Sequence, residues 1–148
     1  MSIFDNSDEF YMQQALREAR AAAAEGEVPI GAVIVSGDRV IARAHNQTEL
    51  LHDTTAHAEM LAFTAASEAI GAKYLTDCTL YVTVEPCPMC AGAAGWTQVS
   101  RIVYGASDPK RGYSLLKGNI LHPRTEVVAG VMAEECEALM KDFFKKKR

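Results

Sequence analysis

The stretch Thr79-Leu-Tyr-Val-Thr-Val-Glu-Pro-Cys-Pro-Met-Cys-Ala-Gly-Ala-Ala-Gly95 changes character at its midpoint. Thr79 to Val84 is rich in β-branched and aromatic residues and reads as a strand. Pro86 fits the first turn of a helix, where a missing N–H leaves no bond unmade. That helix is expected to end near Gly95. Cys87 and Cys90 then stand at i and i+3 on one helix face. A helix N-terminus stabilises negative charge, so thiolates are favoured there.

Working outward, the other segments alternate in the same way. Phe10 to Ala24 is helical, with Met12, Ala15, Leu16, Ala19 and Ala23 on one stripe, Ser7 as its cap, Asp8 and Glu9 in its first turn, and Gly26 ending it. Ile30 to Val35 is a strand, Ser36-Gly-Asp38 a turn, and Arg39 to Ala44 the returning strand. Asp53 or Thr54 is expected to cap a second helix that runs to about Ile70 and stops at Gly71. Arg101 to Gly105 is a fourth strand, Ala106 to Arg124 is irregular, and Glu126 to Val131 is a fifth strand. A last helix starts near Ala133, with Cys136, Leu139, Met140, Phe143 and Phe144 at i, i+3, i+4, i+7 and i+8. The order α-β-β-α-β-α-β-β-α favours one sheet covered on both faces.

A chain of 148 residues suits a single domain over 1–148. No apolar run approaches the roughly 20 residues that cross a bilayer, so no membrane association is expected. Met1 to Glu9 is polar and acidic, without the basic and apolar regions of a secretory signal, which points to the cytoplasm. Four cysteines in such a compartment stay reduced, so the close pair reads as metal-binding or redox. Net charge is −4, yet the tail from Lys141 to Arg148 is strongly basic, which suggests a local anion-binding surface.

A catalytic zinc takes three protein ligands and keeps a fourth position open. Cys87 and Cys90 supply two, and His57, near the start of another helix, is the best candidate for the third. Two other readings of Cys-x-x-Cys remain: a thioredoxin-like redox pair, or half of a structural site completed by Cys78 or Cys136. Both of those cysteines lie in apolar patterns that suit inert burial. The pattern His57-x-Glu59 with Pro86-Cys87-x-x-Cys90 resembles the signature of zinc nucleobase deaminases. In that chemistry zinc readies a water for attack, and Glu59 takes the water proton, protonates the ring nitrogen and delivers a proton to the leaving amine. Residues at i and i+2 do not face each other on a regular helix. His57 and Glu59 therefore converge only in a first turn.

The segments Glu27-Val-Pro-Ile-Gly-Ala-Val33, His45-Asn46, Thr55-Ala-His-Ala-Glu59, Leu80 to Ala93, Val103-Tyr-Gly-Ala-Ser-Asp108 and Asp142-Phe-Phe144 resemble bacterial tRNA-specific adenosine deaminases, over roughly Glu9 to Lys146. The resemblance implies a three-layer α/β/α, cytidine-deaminase-like fold with a five-stranded mixed sheet. It implies a homodimer, one Zn²⁺ per subunit, and conversion of adenosine to inosine at the wobble position of a tRNA anticodon stem-loop. By position, Asn46 would contact the nucleoside and Ile30 would line the pocket. The Ala58 N–H and the Glu85–Pro86 backbone would position the base, and Asp108 would hold a flanking nucleotide. Phe144 with Lys145 and Lys146 would lie along the RNA, and Lys110 and Arg111 would meet phosphates, making binding salt-dependent.

Two other functions stay open at this point. Pro88 and Trp96 are similar to features of free guanine and cytosine deaminases, so a free-base or nucleoside deaminase is the second reading. A non-catalytic zinc- and RNA-binding module is the third.

Overall fold

Small side chains set how closely the layers pack. The computed structural model of the chain describes residues 7–147. The acidic segment before Ser7 and the final Arg148 lie outside the described residues, as does the Ser7 side chain expected to cap the first helix. Helix α1 (Ser7–Ala24) buries Met12, Ala15, Leu16, Ala19 and Ala22 completely or almost so. The stripe ends on Ala22 rather than the expected Ala23. α1 sits so close to the first strand that a Cβ on Gly31 would stand 2.0 Å from the Ala15 carbonyl oxygen. Only glycine permits that approach.

The hairpin of β1 (Gly31–Ser36) and β2 (Arg39–His45) turns through Gly37 at φ 64°. β3 (Cys78–Val84) pairs antiparallel to β1, whereas β4 (Arg101–Ala106) and β5 (Glu126–Ala129) continue the sheet in parallel. The sheet is mixed, with order β2-β1-β3-β4-β5. Helices α2 (Ala58–Ile70) and α3 (Pro88–Thr97) belong to one face and α1 and α4 (Ala133–Lys146) to the other. Strand alternation separates the two cores: Ala32, Ile34, Leu80, Val82 and Ile102 pack on the first face, and Val33, Val35, Tyr81 and Val103 on the second. The expected three-layer α/β/α fold with a five-stranded mixed sheet is the one observed.

Three boundaries differ from the sequence expectation. α2 starts at Ala58 with His57 as its N-cap, not after Asp53 or Thr54. The Asp53 carboxylate instead accepts from the N–H and hydroxyl of Thr55, a local turn that occupies the capping oxygen. α3 begins at Pro88, with Cys87 as its N-cap, so Pro88 rather than Pro86 occupies the first turn. β5 ends at Ala129 because Gly130 turns the chain at φ 87°. The irregular stretch after Ala106 is the crossover between parallel β4 and β5. It contains one 3-10 turn, Tyr113–Leu115, and packs Tyr113, Ile120 and Leu121 over the α2–α3 face.

Candidate active site

His57 and Cys87 are both extended N-cap residues, at φ −76° and −73°, of helices that start side by side. Cys90 lies one turn into α3 and is buried. His57 Nδ1 stands 3.6 Å from Cys87 Sγ and 3.5 Å from Cys90 Sγ. All three donor atoms lie within 4.8 Å of one another. Cys78 and Cys136 are buried apart from this group, as expected of inert cysteines.

The electrostatics are those of a site short of positive charge. A hydrogen bond from Cys90 and the nearby His57 imidazole outweigh burial and hold the Cys87 thiol at about 4. The Cys90 thiol is pushed far up by that hydrogen bond, by burial and by Glu59. Its bond to Cys87 likewise raises His57. The cluster by itself therefore supports one thiolate, and a divalent cation would support both.

Glu59 is 3% exposed. Burial raises its carboxyl to about 7, a value suited to exchanging protons near neutrality. Its Oε1 is a buried oxygen without a hydrogen-bond partner among the described residues. An unpartnered buried oxygen costs stability, so it signals a group that meets a ligand.

A cleft of about 1180 Å³ opens over the cluster, reaching His57, Glu59 and Cys87 at its base. Val28, Ile30 and Asn46 form one wall. Glu85, Asp108, Lys110 and Arg111 form a second, and Phe144 and Lys145 of α4 a third. Four expected site residues do not line it: Ala58, Pro86, Lys146 and Cys90, which is buried behind Cys87 in the cluster. The Ala58 N–H donates to Asn46 Oδ1 at 2.8 Å, so it orients the Asn46 amide rather than facing the cleft. The backbone of Glu85–Pro86 is engaged too: the Glu85 N–H donates to Ala106 O, and Pro86 O accepts from Tyr113 N–H. Lys146 lies on α4, but Lys141 and Lys147 are the further lysines at the cleft. Asp108 Oδ1 accepts the N–H groups of Lys110 and Arg111, making it the cap of its own turn.

Two functional features escaped the sequence reading. Glu27, 1% exposed, accepts the N–H groups of Glu49 and Leu50 and the Thr48 hydroxyl. Against the effect of burial, those bonds lower its pKa and pin the loop that follows Asn46. Glu85, 4% exposed, pins the crossover loop, accepting from the N–H groups of Asp108 and Ser114. An acidic residue flanking a strand was the only local signal, and it does not reveal a partner more than twenty residues away.

Fold and cluster together define the class: the chain is a deaminase, and residues 6–148 match the family of MafB19-like deaminases. It is 48% identical over 146 residues to the tRNA-specific adenosine deaminase of Bacillus subtilis, covering 95% of this chain and 91% of that one. A solved tRNA:A34 deaminase, studied for A-to-I editing at the wobble position of transfer RNA, is 42% identical, with a TM-score of 0.83 over 88% of this chain and 98% of that one. The guanine deaminase of Bacillus subtilis is 39% identical but covers only 67% of this chain and 64% of its own, with a TM-score of 0.64. The chain thus belongs to the tRNA-specific adenosine deaminase family.

Proposed function

We propose that the protein hydrolyses adenosine to inosine and ammonia at the wobble position of a tRNA anticodon. The carrying observation is the buried Glu59 carboxyl, its Oε1 without a partner among the described residues, beside the His57–Cys87–Cys90 cluster in a cleft walled by Lys110, Arg111 and Lys145. The donor set fits zinc. Bonds of about 2.3 Å to sulfur and 2.0–2.1 Å to nitrogen at tetrahedral angles place N and S roughly 3.5–3.6 Å apart, which agrees with the 3.5 and 3.6 Å found here. Zinc held there would supply the Lewis acidity that makes a water nucleophilic at neutral pH.

The chain's own groups do the remainder. Glu59 Oε1 takes one proton from the attacking water and passes it to the purine ring nitrogen. It then takes the second proton from that same oxygen as the C=O bond forms and hands it to the amine as the C–N bond breaks. Asn46, with Oδ1 engaged by Ala58, offers its amide NH₂ to the nucleoside. Ile30 packs against the base, and the Asp108 turn meets a flanking nucleotide. Phe144, 46% exposed at the cleft, offers a stacking surface, and the neighbouring lysines offer phosphate contacts. A loop base suits this cleft, because it is already partly unstacked and flips out at low cost.

The assay is inosine formation in an anticodon stem-loop, with free guanine and cytosine run in parallel. Inosine in the RNA is the expected product. Ammonia from free guanine or cytosine, with no inosine, would overturn the reading.

The working unit we infer is a homodimer in the cytoplasm. Trp96 on α3 is 84% exposed, and Leu115 and Leu116 are exposed on the crossover that runs past Gly95. Exposed apolar groups of this size mark association surfaces. No described helix is long and apolar enough to cross a membrane. Trp96→Asp is expected to shift the sedimenting species from dimer to monomer, and a wild-type monomer would refute the dimer.

A further inference from the structure

The crossover loop carries Asp108, Lys110 and Arg111, yet little of it belongs to regular structure. One side chain anchors it at two points beside the cleft. Glu85 Oε1 accepts the Asp108 N–H at 3.0 Å, and Oε2 accepts the Ser114 N–H at 3.0 Å. The loop is thereby clamped on both sides of the Lys110–Arg111 turn. Two backbone bonds, Glu85 N–H to Ala106 O at 2.8 Å and Tyr113 N–H to Pro86 O at 2.9 Å, flank the clamp. Inside it, the Asp108 carboxylate caps the Lys110 and Arg111 N–H groups, and Gly112 N–H donates to Asp108 O.

The fit leaves no slack. A Cβ on Gly112 would lie 2.3 Å from the Glu85 carboxyl carbon and 2.4 Å from each of its oxygens. The loop backbone rests directly on the carboxylate, and any side chain at 112 would push the two apart. Glu85 is 4% exposed, so solvent does not compete for these bonds. Both Glu85 and the loop border the same cleft as Glu59 and His57.

We propose that Glu85 is a positioning residue for substrate binding: its buried carboxylate, seated on Gly112, holds the 106–114 loop at the distance from the metal cluster that lets Asp108, Lys110 and Arg111 meet the RNA. The proposal rests on the RNA-editing reading given above. It differs from a role in the chemical step, because Glu85 reaches the substrate only through the loop. It also differs from general fold support, because the bonds end on a loop rather than on the core.

The test uses the zinc-loaded protein and an anticodon stem-loop RNA. Glu85→Ala should raise KM and the dissociation constant for the RNA about tenfold, the equivalent of losing buried hydrogen bonds to a charged acceptor. The turnover at saturation should fall much less, and the zinc content should stay at the wild-type level. Glu85→Gln keeps one acceptor but sets an NH₂ against a backbone N–H, so its loss should be intermediate. Gly112→Ala reaches the same clamp from the other side and should raise KM similarly. The double variant Glu85→Ala/Gly112→Ala should be no worse than either single one, because both break one contact.

Trypsin gives a reading free of activity. Cleavage after Lys110 and Arg111 should quicken about tenfold in Glu85→Ala and Gly112→Ala once the clamp opens. Loss of zinc, a fall confined to kcat, additive effects in the double variant, or unchanged trypsin cleavage would each overturn the proposal. Should wild type form no inosine, the RNA-editing reading falls. Cleavage and RNA affinity would still decide whether Glu85 holds the loop and whether the loop holds RNA.

Discussion

Cys87 and Glu59 show how much one position can change. Cys87 ends an extended segment and begins a helix, so its thiol meets a helix N-terminus, Cys90 and His57 together. Removing Cys87, Cys90 or His57 as alanine is expected to abolish stoichiometric zinc, as read by metal analysis of the purified protein. Zinc retained in all three would refute the ligand set. Glu59→Gln keeps the shape of the side chain and loses its proton transfer. Inosine formation should drop by about 10²–10⁴-fold while zinc and RNA affinity persist. The spacing of the two cysteines was legible because i and i+3 is a local relation. The Glu85 role was not, since its partners at Asp108 and Ser114 come from another part of the chain.

Elements owe their positions to contacts as much as to their own signals. α2 illustrates this. Its apolar run and the Gly71 stop, at φ 68°, were plain in the sequence. Its start was misplaced because Asp53 is a good cap in isolation. Glu27 and the Asp53–Thr55 turn hold the preceding loop in another shape, and the helix waits for His57. α1 meets β1 through alanines and Gly31. Gly31→Ala should therefore destabilise the protein by about 1–3 kcal/mol or more, the range for overpacking a close contact. Urea unfolding would measure it, and an unchanged midpoint would show that α1 can move away. The β4–β5 connection was an unassigned stretch in the sequence, since a crossover without a helix carries no periodicity.

At the scale of the whole molecule, charge links distant parts of the chain and makes stability depend on pH. His45 lies between Glu18 and Glu25 of the α1 region, at 2.9 and 3.1 Å. Burial favours the neutral ring, but these two hydrogen bonds outweigh it and raise the pKa of His45. A raised folded-state pKa means that the contribution is complete below the unfolded value of about 6.5 and lost as pH rises through the folded value. Glu25 is half exposed, so the contribution should be about 1 kcal/mol or less. The stability gap between wild type and His45→Gln should be largest near pH 6 and narrow by about pH 9. A gap that does not vary with pH would remove the ionic contribution.

The sequence by itself determined the reaction centre's chemistry and the alternation of strands and helices. The alternation follows from short-range rules, helical spacing and the punctuation of glycine and proline, whereas the chemistry was read from the resemblance of His57-x-Glu59 and Pro86-Cys87-x-x-Cys90 to a deaminase signature. Tertiary structure alone decided the parallel placement of β5, the N-cap position of His57, and which backbone groups remain for a substrate. Those depend on pairings such as Ala58 with Asn46 and Glu85 with the crossover loop. A carboxylate or an amide finds such partners only once the sheet has brought distant segments together.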